Sequence, residues 1–459
     1  MSHWDRPLSS NERQLFGQFL LNLERVGVVA VLLRNYETFP ATMGHDLDVF
    51  FRREDLPKAV KIFRTVLQKA GGEVLQIHER DYVLAVWFRA APGEPKTIHL
   101  DFYHGAYTWH GLTFLSDAAV IAGARQQGDF KIPRPAHEAL SLFLASLMWG
   151  AFYKSRYGER IESLLSDPEE SVEFFRLLED KFGPDSRPAF AFTGENLPDK
   201  AAARAYAVRL RSCLQRRSFA RQPFRSLFLS ARYWWGEMKT VLSPPAICIA
   251  VLGPDGSGKS TVIHAVKARV EYFFGETVDR HWRPQLLRDA GVAARQRSER
   301  TGSVTDPHGR QPHSMPLSAL RFFYYWLDYW LGWPLRVWKF KAKNHLVIFD
   351  RYAPDMWCDP RRYRLNLPTS LMKCFCRLVP QPELTFVLLA DAETIHQRKG
   401  EVPLETVREL LLRYGDAAQQ GRRIRAVDCR RTVDQIADEI AAAIMAVLKA
   451  KTNQHRRFR

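Results

Sequence analysis

Apolar residues along this chain keep two different periods, and the changes of period map its organisation. Over Glu12 to Val26, Leu56 to Ala70 and Ala136 to Ala151 they recur at the spacing of one helix face. Between these stretches lie short runs rich in β-branched and aromatic residues, at Val28 to Leu33, Asp46 to Phe51, Tyr82 to Phe88 and Thr97 to Phe102. The two patterns predict an α+β domain over residues 1–190, closed by the Pro-, Gly- and Asp-bearing loop Gly183 to Lys200. Residues 191–245 read as a helical connector ending at Ser243-Pro244-Pro245. From 246 to 451 strands and helices alternate. Ile247 to Leu252 is an apolar strand, Val262, Val266 and Val270 share a helix face, and the last helix aligns Val433, Ile436, Ile440, Ile444 and Val447. That alternation predicts a doubly wound parallel α/β sheet with ligands at the carboxyl ends of its strands. Residues 452–459 form a basic tail expected to fray. A chain of 459 residues exceeds what one core serves, so several domains are expected.

Charge adds a second division. The net charge is +17, yet residues 1–200 carry 23 basic and 27 acidic side chains, residues 201–245 carry 9 and 1, and residues 246–459 carry 35 and 22. The basic character therefore belongs to the connector and the second half, where it suits nucleotides, an anionic small-molecule or glycan acceptor, or lipid headgroups. No nucleic-acid recognition motif accompanies it. Two readings stand for the connector: a basic amphipathic helix on a membrane surface, or an inter-domain helix with a solvated basic face. Met1 to Ser10 lacks a signal-peptide apolar core, and no window is apolar for long enough to span a bilayer. The nearest, Phe322 to Trp338, is broken by Asp328, Pro334 and Arg336 and suits a packed core or a ligand groove. The six cysteines form no C-x-x-C pair, and the C-x-C at Cys374 and Cys376 has no second ligand pair nearby; they read as buried thiols of a reducing compartment. The expectation is a cytoplasmic protein, with a peripheral membrane position following from the first reading of the connector.

Chemistry concentrates at Gly253-Pro-Asp-Gly-Ser-Gly-Lys-Ser-Thr261, a full G-x-x-x-x-G-K-[ST] phosphate-binding loop between a strand and a helix. In such a loop glycines let backbone N–H groups face a triphosphate, the lysine reaches the β/γ-phosphates, and the following hydroxyl serves Mg²⁺. Gly253, Asp255, Gly256, Ser257, Gly258, Lys259, Ser260 and Thr261 are the candidate nucleotide contacts, with ATP and Mg²⁺ the implied donor and ion. About ninety residues on, His345 to Asp350 is an apolar strand ending in aspartate, followed by Arg351 and Tyr352. An aspartate there is placed to orient Mg²⁺ or its waters, and the adjacent guanidinium suits an anionic acceptor. A third apolar strand, Leu384 to Ala390, leads into a segment bearing Arg398 and Lys399.

This set resembles the thymidylate kinase family of nucleoside monophosphate kinases over residues 246–450. The resemblance implies that Asp255 faces the acceptor's hydroxyl, Arg351 holds an acceptor phosphate, Asp350 organises Mg²⁺, and Arg398 with Lys399 closes over the transferring group. Lys259, Asp350, Arg351 and Arg398 are thus the candidate catalytic set, and Ser260 and Asp350 the candidate metal ligands. The chain departs from the family at His281-Trp-Arg283-Pro284, where an acidic R-E-P stretch is usual. It departs again in the polar insertion Arg295 to Pro316 and in Asp359-Pro-Arg-Arg-Tyr-Arg364, which adds three arginines on the acceptor side. In these features it is similar to kinase-like proteins of bacterial polysaccharide or lipopolysaccharide assembly. The acceptor expected is then a nucleoside monophosphate such as dTMP, or a sugar, sugar phosphate or glycolipid.

In the first domain Gly44-His-Asp46-Leu-Asp48 is a turn followed by two carboxylates on one strand face, and Asp101 ends another strand-like run. The trio resembles the metal triad of a minimal nucleotidyltransferase domain over about 25–115, which implies a second metal site at Asp46, Asp48 and Asp101. Where that family carries a Gly-Ser pair upstream, this chain has Leu33-Arg34-Asn35-Tyr36. His45, His99, His104 and His110 lack metal-ligand spacing and read as structural. Two alternatives to a kinase stand: nucleotidyl transfer at the N-terminal carboxylates, and a non-catalytic ATP-binding switch in polysaccharide assembly.

Overall fold

The computed structural model describes residues 6–34, 36–44, 46–92, 97–194, 196–287, 311–398 and 403–453. His45, Lys399, most of the insertion from Arg295 and the tail beyond 453 lie outside the described residues. The chain divides into two compact units, Met1–Thr240 with Thr452–Arg459, and Val241–Lys451.

The first unit is built on a seven-stranded mixed sheet. Its main strands are β1 (Val31–Leu32), β2 (Leu47–Phe51), β3 (Glu73–Glu79), β4 (Val83–Arg89), β5 (Ile98–His104), β6 (Arg125–Gln127) and β7 (Phe130–Ile132), in the order β6-β7-β1-β2-β5-β4-β3. β2 and β5 are parallel, and their register sets Asp48 directly beside Asp101. The pleat then sorts the side chains. Leu47, Val49, Phe51, Leu100 and Phe102 enter the core formed with α1 (Ser10–Arg25) and α2 (Leu56–Lys69). Asp46, Asp48, Phe50, His99, Asp101 and Tyr103 share the opposite face. On that side α3 (Pro135–Gly150) and α4 (Pro168–Phe182) build a second core that includes Phe50. The segment 191–245 supplies two helices, α5 (Lys200–Arg221) and α6 (Pro223–Leu242). Tyr206, Ala207, Leu210 and Leu214 of α5 are buried in that same second core.

The second unit is an α/β domain with five parallel strands: β8 (Cys248–Leu252), β9 (Thr277–His281), β10 (Leu346–Asp350), β11 (Leu384–Leu389) and β12 (Ile424–Asp428), in the order β9-β10-β8-β11-β12. Cys248, Ala250 and Leu252 pack on one face with α8 (Met315–Gly332) and α10 (Leu404–Ala418). Ile249 and Val251 point the other way and are buried too, as expected of a parallel sheet covered on both sides. α7 (Lys259–Val270) packs on β8 and β10 with Val262, Val266 and Val270 buried, and α11 (Val433–Asn453) buries Ile436, Ile440 and Ile444. Strand order changes direction at β8, so the loop after it opens into the crevice where such sheets bind ligands. Of the cysteines, Cys374 is exposed and the others are buried or half-buried, all as free thiols.

Candidate active site

The loop Gly253–Gly258 leaves β8 at its carboxyl end and turns directly into α7. Only glycine fits where it starts. Gly253 has φ +148°, and a Cβ there would meet Ser257 Oγ at 2.8 Å and the Leu388 carbonyl oxygen at 2.9 Å. Gly258, at φ +83°, is the left-handed residue that caps α7, and a Cβ on it would meet nothing within 4 Å, so the space it faces is open. The first-turn N–H groups of α7, from Lys259 to Thr261, have no partner within the helix by construction. The Lys259 side chain is buried and folds back to donate to the carbonyl oxygens of Gly253 (3.0 Å) and Pro254 (2.8 Å), with Asp255 Oδ1 at 3.8 Å. Ser257 Oγ is buried without a hydrogen-bond partner among the described residues, whereas Ser260 and Thr261 are exposed.

β10 lies beside β8 with Asp350 in register with Val251, one residue before the end of β8. Asp350 Oδ1 is buried and accepts no hydrogen bond among the described residues, and His281 Nδ1 stands 3.8 Å from Oδ2. Burial works against its charge, but His281, Lys259 and Arg351 outweigh it and hold the carboxyl below the usual range. A hard divalent ion is suited to such an oxygen. The orphaned Asp350 oxygen and the exposed Ser260 hydroxyl fit Mg²⁺, and the glycine cradle with the α7 N-terminus fits a triphosphate.

Arg351 follows Asp350 in a left-handed conformation (φ +76°) that a non-glycine residue holds only under tertiary constraint. The constraint is visible. Its N–H donates to Val251 O at 2.9 Å, and its guanidinium binds Asp355 Oδ2 at 2.6 Å, Tyr414 Oη at 3.3 Å, and Asp255 of the loop. Burial disfavours the charge of Arg351, but Asp355 and Tyr414 facing it keep it protonated. Asp355 is itself fully buried and also accepts from Tyr414 Oη (3.0 Å) and Tyr363 Oη (3.4 Å). Arg362 reaches the second oxygen of Asp255, with its Nε 3.4 Å from Asp359. Asp255 is therefore gripped by two guanidinium groups at the edge of the loop.

Next to this cluster Trp282 donates its backbone N–H to Asp350 O (2.8 Å) and stacks on Tyr363 with ring centroids 4.2 Å apart. Tyr325 meets it edge-on at 4.5 Å. The segment is pinned from behind by a buried pair, Arg283 and Asp328 (3.0 Å), and Asp328 also accepts from the N–H groups of Gln285 and Leu287. A flat aromatic wall, two arginines and a carboxylate thus converge beside the phosphate loop.

Of the residues expected here, the structure brings Asp255, Lys259, Asp350 and Arg351 together. Arg398 ends α9 (Ala392–Arg398), exposed, and its charge is felt by the Cys429 thiol. Lys399 lies outside the described residues. Asp355 and Tyr414 escaped the sequence reading, and Trp282 and Tyr363 entered it only inside the two segments noted as departures. Only the i,i+4 spacing of Arg351 and Asp355 carried a signal, and the tyrosines come from distant segments.

In the first unit Asp48 is fully buried and its Oδ2 is held by Arg34, from the segment where the resemblance would place Gly-Ser; its Oδ1 has no hydrogen-bond partner among the described residues. Burial pushes the Asp48 carboxyl up, against the opposing pull of Arg34. Among the described residues, Asp46, His99 and Asp101 form a group that could hold a metal ion, their ligand atoms lying within 4.8 Å of one another. His99 was expected to be structural because its sequence spacing carries no metal signature, and the pairing of β2 with β5 supplies what spacing lacked. Asp48 and Arg34 also line a cavity of about 200 Å³ with Phe50, Tyr82, Tyr107 and Trp149. That is room for one ring rather than for a nucleotide.

No protein-family model matches the chain, and no curated protein matches it. Among solved structures it is similar to the thymidylate kinase of Candida albicans, at 15% identity and TM-score 0.32, over 44% of this chain and 93% of that one. It is also similar to the thymidylate kinase of Ehrlichia chaffeensis, at 15% identity and TM-score 0.30, over 43% and 98%.

Proposed function

We propose that the second unit is an ATP- and Mg²⁺-dependent phosphotransferase that passes the γ-phosphoryl group to an acceptor carrying a ring and an anionic group. The observation that carries this reading is the meeting of the phosphate loop with Asp255, Arg351 and Arg362. The donor side alone would suit any nucleotide-binding protein. A carboxylate held between two guanidiniums at the loop's edge adds a place for a second, anionic substrate.

The roles follow from position. Lys259, now on the loop's own carbonyls, needs only to exchange those contacts for phosphate oxygens. Ser260 and Asp350 would hold Mg²⁺, which supplies charge neutralisation across the β- and γ-phosphates. Arg351 fixes Asp255, so that its carboxylate can accept a hydrogen bond from an acceptor hydroxyl, and Arg362, partly exposed, meets the acceptor's negative charge. The Trp282–Tyr363 stack offers a face for the acceptor's ring. A nucleoside monophosphate such as dTMP meets these requirements, and so does a sugar phosphate or glycolipid of polysaccharide assembly. An arginine closing from the α9 side, Arg398 in the family analogy, would require movement of that segment on substrate binding.

Nucleotidyl transfer by the first unit is the second reading, and the proximity of Asp46, His99 and Asp101 is what favours it. Labelled ATP separates the two. Transfer of γ-label with ADP release, lowered at least ~10³-fold by Lys259→Ala and unchanged by Asp48→Ala, supports the kinase. Transfer of α-label with pyrophosphate release that survives Lys259→Ala would overturn it. Nucleotide binding without turnover over nucleoside monophosphates, sugars and lipid-linked glycans would leave a switch.

A further inference from the structure

Helix α6 has two unlike sides. Ser226, Tyr233 and Thr240, seven residues apart, are buried. On the other side Phe224, Leu227, Phe228, Trp235, Met238 and Leu242 are all exposed, Phe224 to 87% and Phe228 to 65%. At 3.6 residues per turn these six fall within an arc of roughly 100°, and Trp234 and Val241 widen it along one edge. The other edge carries Arg225, Arg232 and Lys239, again seven apart, with Lys239 Nζ 5.6 Å from the Trp235 ring centroid. Arg232 is tied to Asp81 at 3.0 Å, while Arg225 and Lys239 are exposed. The one acidic residue of the helix, Glu237, projects away from the apolar arc.

An exposed apolar stripe of this length is rare unless something covers it, and charge selects the covering. Residues 201–245 carry nine basic side chains and one acidic. A stripe of Trp, Phe and Leu with a cationic edge is the pattern of a helix lying in the plane of a bilayer, aromatic rings at headgroup level and cations against lipid phosphates. In the second unit α8 also exposes apolar side chains, Leu320, Phe323, Leu327, Trp330 and Leu331, but it has no cationic edge. No helix among the described residues is long and apolar enough to cross a membrane.

We propose that α6 lies in the interface of a bilayer containing anionic lipid, with Phe228 and Trp235 immersed and Arg225 and Lys239 on lipid phosphates. The test uses the full chain and flotation with phosphatidylcholine vesicles, with and without phosphatidylglycerol. The wild type should float with the anionic vesicles ~10-fold more than with the neutral ones, and less so as salt rises. Phe228→Glu with Trp235→Glu should lower partitioning by ~10-fold or more, with circular dichroism and ATP binding unchanged since both side chains are exposed. Arg225→Glu with Lys239→Glu should abolish the preference for anionic lipid. Absence of flotation in the wild type, or flotation indifferent to both double variants, overturns the proposal. So does a dimer in light scattering that the apolar variant dissolves while no vesicle is bound, because the stripe would then be a protein interface.

Discussion

Asp48 of the first unit and Asp355 of the second are both fully buried carboxylates in contact with an arginine, and the surroundings of the two pairs differ. The side chain of Arg34 is 35% exposed and that of Arg351 only 3%. Arg34 can turn to water if its partner is lost, and Arg351 cannot. Arg351 is also committed by its backbone, which holds it between the end of β10 and the loop. Asp48 lines a cavity between the sheet and α3; Asp355 is tied through Arg351 to Asp255 of the glycine turn that feeds a helix N-terminus. A carboxylate with a guanidinium is thus common to both units, and what separates the proposed phosphate site from a buried ion pair is the backbone beside it.

The largest expected effect tests that contrast in stability. Asp355→Ala leaves Arg351 buried with one carboxylate fewer and takes the acceptor from Tyr414 and Tyr363. It should lower the stability of the second unit by about 3–5 kcal/mol. Asp48→Ala frees Arg34 to reach solvent and should cost the first unit under about 2 kcal/mol. Urea denaturation of each variant, followed by hydrogen exchange in β8 and β2, reads both. Equal losses would break the comparison.

Arg362→Ala sharpens it at the level of function. Arg362 shares Asp255 with Arg351 but its side chain is 18% exposed, so it can meet a ligand. Its loss should reduce kcat/KM for the acceptor by ~10–100-fold, with the KM for ATP little changed. A drop confined to the ATP KM would move Arg362 from the acceptor side to the donor side.

Much of this was legible in the chain. The phosphate loop is a local object, its glycines, lysine and flanking apolar runs adjacent in sequence, and it sits as expected between β8 and α7. Asp350 was legible because a strand ending in aspartate is also local. Cooperation across the sheet was not. Tyr414 meets Arg351 from 63 residues away, and the Trp282–Tyr363 stack joins segments on either side of α8. Such contacts leave no period or spacing to read. β3 was missed for another reason: in Glu73 to Glu79 the alternation of polar and apolar residues breaks at the adjacent Val74 and Leu75, where pairing with β4 shifts register, so no regular period marks the strand. Arg34 was noted only as a departure, yet it holds Asp48 Oδ2 and pulls against the burial that pushes this carboxyl up.

The smallest expected effect concerns the cluster that sequence spacing concealed. His99 is stacked on Trp87 at 4.1 Å, 3.0 Å from Asp101, and faced by Asp46, Asp48 and His78. Burial alone would push its pKa down, but Asp101, with Asp46 and Asp48, outweighs burial and raises it. A histidine whose folded pKa is raised contributes stability in full below its unfolded value, about 6.5, and loses that contribution as pH climbs through the folded value. His78 acts with the opposite sign, because burial pushes it down to about 3, so its effect destabilises the fold as pH falls below the unfolded value. Comparing the wild type with His99→Gln removes most of the His78 contribution, which is common to both chains. The difference in thermal midpoint of the first unit should be greatest just below about pH 6.5 and shrink as the pH rises above it. A difference that grows with pH would mean that His99 is neutral in the fold and that the carboxylates facing it do not hold its proton.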